Sequence, residues 1–262
     1  MDDDHDNIST QLNGDDSVAG DMALSLASNI SHRSSSAMKE AKEQMKSKTE
    51  QDHEVYSDEL LDYFMLPYNY AQVRKPKPPL NYQPNWIIDS EGHTAIHWAS
   101  AIGDIEVVKE LRNSGADLAA QNYQGETPLM RCVLFTNCLD RQAMPAMVKE
   151  LFDTIDCVDL CQSTVVHHAA AATINRQKHH SARYYLDVIL NKMQEVLDSD
   201  HTQRILDAQD VNGNTAIHIA AKNQARKCVR ALLGRGASTD IPNADKITAE
   251  ELILEMNNPD ND

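Results

Sequence analysis

Histidine is the side chain in this sequence whose type and spacing would most directly support catalysis or metal binding. His97 lies in GHTAIHWA, residues 92–99, and His218 lies at the same place in GNTAIHIA, residues 213–220. Two imidazoles brought together from distant segments would serve as a general acid–base pair or as ligands of one metal ion. The same repetition is also expected if the chain uses one structural building block more than once.

The two octapeptides belong to a longer repeat. Residues 89–116 and 210–237 share Asp, then Gly three positions later, then Thr, His and Ala, and a Gly-Ala pair 23 residues after that Gly. The copy that contains Gly125 follows 33 residues after the first, and STVVHHAAA at 163–171 repeats the Thr, His and Ala positions. TAEEL at 248–252 begins a partial fifth copy.

A 33-residue period with a Thr-Pro-Leu-His-x-Ala pattern is that of the ankyrin repeat, a turn followed by two helices. Threonine caps the first helix through its hydroxyl, and glycine ends the second helix because it adopts a positive φ without strain. These structural roles are predicted for Thr94, Thr127, Thr164, Thr215, Gly115 and Gly236. The predicted fold is an all-α ankyrin-repeat solenoid of about four full repeats and a partial C-terminal cap, with inserted loops or helices.

The repeat pattern indicates that the histidines have a structural role. His97, His167 and His218 each occupy the third helical position after a threonine, and Met130 and Glu251 occupy it in the other two units. In Thr-x-x-Glu the third side chain reaches back to the cap residue, and imidazole can form similar local hydrogen bonds. A position filled by His, Met and Glu in turn is not a catalytic or metal constellation, so we expect no catalytic residue and no enzyme activity.

A second cluster, Cys157, Cys161, His167 and His168, superficially resembles a zinc site. Structural zinc sites usually show tighter paired signatures, these cysteines flank a predicted turn, and His167 already belongs to its repeat. The sequence also contains no glycine-rich nucleotide loop, no His-Glu-x-x-His motif and no nucleophile elbow. We therefore expect neither a metal nor a cofactor.

Composition narrows the class of partner. The 262 residues carry 24 basic and 40 acidic side chains, a formal net charge of −16, which repels phosphate backbones and argues against direct nucleic-acid binding. The five cysteines, without a signal-peptide pattern or a long apolar run, indicate free thiols in a reducing compartment. The partner class that remains is other proteins, with no membrane contact.

The N-terminal third differs in composition from the repeats. Residues 1–53 are rich in polar side chains and are predicted to form a disordered tail. Residues 54–85 hold an apolar and acidic motif, which either packs against the folded domain or docks a partner, and then a proline-rich linker. The basic residues of that linker, among them Lys75, are expected to be solvated or to act as a weak nuclear-import signal. The ankyrin domain is predicted over 86–256, with a second disordered tail over 257–262.

The irregular units are more specific than the repeat pattern. GETPLMRCVLFTN (125–137), TVVHHAAA (164–171), SARYYLDVIL (181–190) and ILDAQDVNGNTAIHIAAKN (205–223) resemble units of the fungal cell-cycle transcription factors that form the SBF and MBF complexes. The resemblance covers about 86–256. It implies a central ankyrin block that mediates regulatory contacts between proteins in the nucleus.

Other parts of that family are not recognised in this sequence. Its DNA-binding members have an N-terminal winged-helix-type (APSES) domain, and a C-terminal helical region pairs the subunits. The first 85 residues show no globular DNA-binding domain, and the sequence ends at Asp262, just after the array. The resemblance therefore implies a non-catalytic interaction module of a nuclear regulator of cell-cycle entry genes. Its partners would be transcription-complex subunits or regulators, and it would contact DNA only indirectly. The alternative is a cytoplasmic ankyrin-type inhibitor or scaffold that sequesters a partner.

Partner contacts are expected on the turn tips and on inserts near 135–146 and 173–183, because in a solenoid these side chains do not pack against neighbouring repeats. The second insert is a basic island on an acidic protein and suits an acidic peptide. The alternative is that both inserts are solvent loops without a binding role. The candidate contact residues are Glu91, His93, Tyr123, Gln124, Asn212 and Asn214 on the tips, and Asn137, Arg141, Arg176, Lys178 and Arg183 on the inserts.

Overall fold

The computed structural model describes Met45, residues 47–66 and residues 74–258. The chain divides into two units, Met1–Asp52 and His53–Asp262. In the first unit, Met45 and residues 47–52 are helical, so the described end of the predicted tail is a helix. The predicted disorder of 1–44 and of 259–262 lies outside the described residues.

The described part of the second unit is helical, with isolated bridges between Ile87 and Thr94 and between Pro242 and Thr248 in place of strands. Residues 53–65 form α1. The helices that follow are α2 Ala95–Ile102, α3 Ile105–Asn113, α4 Pro128–Leu134, α5 Asn137–Asp140, α6 Met144–Leu151, α7 Val165–Ala171, α8 His179–Val196, α9 Ser199–Leu206, α10 Ala216–Lys222, α11 Arg226–Leu233 and α12 Ala249–Asn257. None of the described helices is long and apolar enough to cross a membrane.

Two layers of helices build the second unit. The first helices of successive repeats, α2, α4, α7, α10 and α12, pack side by side, and the second helices, α3, α6, α8 and α11, form the other layer. Ala99, Ala169 and Ala220 are fully buried in the first layer, where the small side chain allows neighbouring helices to approach closely. This arrangement confirms the predicted all-α repeat fold.

The predicted inserts are ordered and helical. The first contains the short helix α5, between α4 and α6. The second contains two 3₁₀ turns, Ala172–Ile174 and Arg176–Lys178, and continues into α8, which at 18 residues is about twice the length of α3, α6 or α11. A further helix, α9, lies between α8 and the first helix of the fourth repeat.

α1 packs against the repeats through its apolar face. Tyr56, Leu60 and Phe64 are buried in the same core cluster as the repeat helices. The Tyr63 hydroxyl donates a hydrogen bond to the carboxylate of Asp104, the N-cap of α3, at 2.9 Å. Of the two hypotheses for the apolar and acidic motif, the structure therefore shows packing against the domain for residues 56–66, and residues 67–73 lie outside the described part.

The segment after the gap also contacts the first repeat. Lys75, one of the basic residues of the predicted linker, forms a surface ion pair with Glu110. Asn85 donates to the Gly115 carbonyl at 3.3 Å and accepts from the Asp117 amide at 2.7 Å. The described part of the predicted linker is therefore fixed to the end of the first repeat.

Candidate protein-interaction face

Each repeat turn is closed by the side chain that begins it. One Oδ1 atom accepts two backbone N–H groups, from the residues two and four positions later, at 2.8 to 3.0 Å. Asp and Asn are favoured at such positions because the short side chain can reach its own backbone. The five residues are Asp89, Asn122, Asp159, Asp210 and Asn243.

The turns are joined to one another by backbone hydrogen bonds. The amide of Tyr123 donates to the carbonyl of Glu91 at 3.0 Å, and equivalent bonds connect the later turns. A Cβ atom on Gly125 would lie 2.6 Å from the Leu160 amide nitrogen, and φ at Gly125 is +81°. Glycine is therefore required both by the backbone conformation and by the close approach of the next turn. The result is a continuous row of turns with outward-facing side chains.

The repeat histidines connect each cap to the next turn. In the first repeat, His97 Nδ1 accepts the Thr94 amide at 3.1 Å, and Nε2 donates to the Glu126 carbonyl, also at 3.1 Å. His167 and His218 repeat this arrangement with the carbonyls of the following turns. Burial lowers the pKa of all three imidazoles, that of His97 to about 4, because the charged form loses hydration. These histidines are neutral structural groups, as the repeat pattern predicts.

The two other units fill this position differently. Glu251 accepts the Thr248 amide at 2.8 Å, which is the capping box that the sequence predicts. The sulfur of Met130 lies 3.4 Å from the Thr127 amide, and a thioether has no proton to donate to the next turn. The second repeat therefore lacks the hydrogen bond that the other three full repeats make across their boundary.

The cysteine and histidine cluster does not assemble into a metal site. Among the described residues, no group of three His, Cys, Asp or Glu side chains is placed to hold a metal ion. His167 bridges to the fourth repeat, while His168 Nε2 lies 2.9 Å from the carboxylate of Asp159. Cys161 is exposed and Cys157 is half-buried, both as free thiols.

An aromatic cavity of about 270 Å³ lies between α2 and the C-terminal end of α4. Trp98 and Phe135 line it together with Ile102 and Arg131. Phe135 is 39% exposed, and its ring lies 5.3 Å from the guanidinium carbon of Arg131. The repeat pattern does not predict this cavity, although the tryptophan after His97 and the aromatic residue at the end of α4 are visible in the sequence. Exposed aromatic side chains in a concave site are typical of surfaces that bind other proteins.

Comparisons with known proteins agree with this geometry. The chain matches the family "Ankyrin repeats (many copies)" over residues 96–149 and "Ankyrin repeats (3 copies)" over residues 138–243. The chain belongs to the ankyrin-repeat family. Among solved structures, this ankyrin chain is similar to a Saccharomyces cerevisiae SWI6 ankyrin-repeat fragment, with a TM-score of 0.67 and 25% identity. That match covers 78% of this chain and 86% of the fragment.

Curated relatives confirm the resemblance to cell-cycle transcription factors. The ankyrin chain is 38% identical over 215 residues to the cell division cycle-related protein res1/sct1 of Schizosaccharomyces pombe, which covers 79% of this chain and 33% of that protein. It is 34% identical over 204 residues to transcription factor MBP1 of Saccharomyces cerevisiae, covering 76% of this chain and 24% of that protein. The ankyrin chain thus corresponds to a third or less of the length of these relatives.

The turn-tip residues of the ankyrin array differ in exposure. Glu91, Gln124 and Asn212 are exposed, and the Tyr123 side chain is 63% exposed. The prediction that His93 is free of packing contacts is wrong, because it is 2% exposed and lies 2.7 Å from the Asp89 carboxylate and 2.9 Å from the Asn122 amide nitrogen. Since its ring is held inside the array, His93 is a structural residue.

Asn214 is half-buried, and its Oδ1 accepts a hydrogen bond from Asn243 at 2.9 Å. Its carbonyl also accepts the Nε2–H group of His167 at 3.1 Å. Asn214 therefore joins neighbouring turns, and a part of its side chain remains at the surface.

Some of the insert residues form hydrogen bonds or ion pairs within the chain, whereas others are exposed. Asn137 donates to the Ala101 carbonyl at 3.0 Å, and Arg141 is half-buried. Lys178 Nζ donates to the Leu134 carbonyl at 2.7 Å, so its charge stabilises the C-terminal end of α4 rather than projecting into solvent. Arg183 pairs with Asp187, and Arg176 is exposed. The basic island is therefore smaller than the sequence predicts.

Proposed function

We propose that this ankyrin domain is a non-catalytic protein-interaction module of a nuclear transcription regulator that controls cell-cycle entry genes. The observation that carries the proposal is its relationship to res1/sct1, a cell division cycle-related protein, and to MBP1, a transcription factor. The described structure supports interaction rather than catalysis, because the candidate catalytic histidines are occupied by structural hydrogen bonds.

The binding face in this proposal is the row of turn tips together with the aromatic cavity. Two exposed large hydrophobic side chains belong to this face: Tyr123 on the turn tip of the second repeat, and Phe135 in the lining of the cavity. Large aromatic side chains contribute much of the binding energy in interfaces, since each one buries a large apolar area with few rotatable bonds. The partners are subunits or regulators of a transcription complex, and DNA is contacted through them.

Affinity capture with the full chain tests this function. The parent chain is expected to recover identified transcription-complex subunits from a nuclear extract of the source organism. The double variant Tyr123→Ala, Phe135→Ala is expected to recover at least several-fold less, while Val196→Ala, at an exposed position of α8, recovers as much as the parent. Recovery of cytoplasmic proteins alone, or equal recovery by the double variant, would contradict the function or the face respectively.

A further inference from the structure

A basic groove of about 400 Å³ lies between the second insert and the fourth repeat. Arg176, His180 and Arg183 come from the insert and α8, and Arg183 is paired with Asp187. Arg226 and Lys227 come from the start of α11. No Asp or Glu is among the residues that line it. On a chain with a formal net charge of −16, this concentration of positive charge marks a place where an anion is attracted locally.

Several of these charges are available to a ligand. The side chains of Arg176 and Lys227 are exposed and make no hydrogen bond or ion pair within the described part of the chain. Arg226 donates one Nη2 hydrogen bond to the Met256 carbonyl at 2.8 Å, and a guanidinium carries five N–H donors in all. The groove therefore offers a ligand the guanidinium group of Arg176 from the insert, and the guanidinium group of Arg226 and the ammonium group of Lys227 from α11.

The start of α11 adds to the positive potential. Its N-cap is Ala225, which offers no side-chain acceptor, whereas Asp104 caps α3 by accepting the Val107 amide at 3.2 Å. The first turn of a helix carries partial positive charge on its free N–H groups. The carboxylate of Asp104 neutralises this charge in α3. In α11 the methyl group of Ala225 stands at the same position, next to Arg226 and Lys227, and leaves the charge in place.

We propose that this groove binds a phosphorylated serine or threonine of a partner peptide. The proposal rests on the proposed interaction function and names the chemistry of one partner contact. A phosphate group carries about −1.5 to −2 charges and three acceptor oxygens, so it can accept from both walls of the groove at once. A carboxylate carries one charge and two oxygens and matches the donors less completely. A long polyanion such as DNA is disfavoured by the formal net charge of −16 of the whole chain.

The direct test is a titration of the purified full chain with N-acetyl-phosphoserine amide, followed by NMR of backbone amides. We expect shifts at Lys227 and at the amides near Arg176, with binding at least tenfold tighter than for the serine or glutamate counterparts. The double variant Arg176→Glu, Lys227→Glu is expected to lose at least tenfold in affinity. The matched control is Arg230→Glu, which makes the same charge change on α11 at an exposed position outside the groove.

Circular dichroism melting separates a binding defect from a folding defect, because the double variant is expected to melt as the parent does. Equal binding of the serine, glutamate and phosphoserine probes would overturn the proposal, as would an equal loss of binding in Arg230→Glu. A chain that captures transcription-complex subunits but does not bind the phosphoserine probe refutes the groove and leaves the proposed function standing.

Discussion

A single side chain performs two tasks at the third helical position of the histidine-containing repeats. His218 accepts the Thr215 amide at its own cap and donates to the Ile247 carbonyl in the next turn, at 3.2 Å in both cases. Each hydrogen bond contributes about 1 kcal/mol net, whereas a buried group left without a partner costs about 1–3 kcal/mol. Imidazole is suited to this role because its two nitrogens, in the neutral form, are one acceptor and one donor.

The exception in the second repeat leads to a prediction about Met130. Met130→His is expected to stabilise the chain by about 1 kcal/mol, because the new Nε2–H group would reach the carbonyl of Ser163, the residue just before the Thr164 cap. Urea unfolding at pH 7.5, where the imidazole is neutral, measures the change. Met130→Leu is the control, since it keeps the apolar volume and adds no donor. A histidine variant no more stable than the leucine variant would show that this bridge does not form.

The sequence predicted the hydrogen bond between each repeat histidine and its own helix cap. It did not predict the hydrogen bond from the same histidine to the next turn. The spacing of Thr94 and His97 is local, so the capping geometry follows from the helix itself. The acceptor of His97 is 29 residues away, and that of His167 is 47 residues away because of the second insert. Such a partner depends on how consecutive repeats stack, which a pattern within one repeat does not specify.

At the scale of the element, the repeat turn is constrained by its own conformation and by its neighbour. Gly115 and Gly125 both have positive φ, +87° and +81°. A Cβ on Gly115 would meet nothing within 4 Å, whereas one on Gly125 would meet the backbone of Leu160 at 2.6 Å. Alanine substitutions at the two glycines can therefore be compared to distinguish the free-energy cost of a left-handed backbone from that of a steric clash.

The expected result is that Gly125→Ala destabilises the chain more than Gly115→Ala. The left-handed conformation costs about 1–2 kcal/mol for a residue with a Cβ, and this applies to both variants. Displacing the adjacent turn adds about 1–3 kcal/mol for Gly125→Ala alone, as overpacking usually does. Chemical denaturation of the two variants under the same conditions gives both values. Equal losses would show that the next turn moves without cost.

The elements also show why the basic groove was only partly predictable. The sequence identified the insert that contains Arg176 as basic, and residues of this insert line one wall of the groove. Lys227 lies 51 residues later in an ordinary repeat helix, so its proximity follows from the packing of α8 against α11. Lys178 was assigned to the same basic surface, but its ammonium caps α4 instead. Composition therefore predicts where a charged segment lies in the sequence. The direction of each charged side chain depends on how the helices pack.

At the scale of the whole molecule, the second unit is an array whose end repeats have a neighbour on one side only. Terminal repeats need a covering element with a polar outer face, because each repeat alone leaves apolar surface exposed. α1 performs this role at the first repeat, since Leu60 is 1% exposed within the common core and Tyr63 donates to Asp104 at the start of α3. At the other end, α12 packs against α10.

The last prediction concerns this N-terminal cover. Leu60→Ala is expected to destabilise the chain by about 2–5 kcal/mol, the usual range for truncating a fully buried leucine. Stability in a repeat array is a sum over neighbours, so the loss should be local and should raise amide hydrogen exchange in α2 and α3 far more than in α10 and α11. Val55→Ala is the control, because Val55 lies on the same helix with its side chain 56% exposed. If exchange rose equally in all four helices, the repeats would unfold as one cooperative block. If it did not rise at all, α1 would not be a structural part of the array.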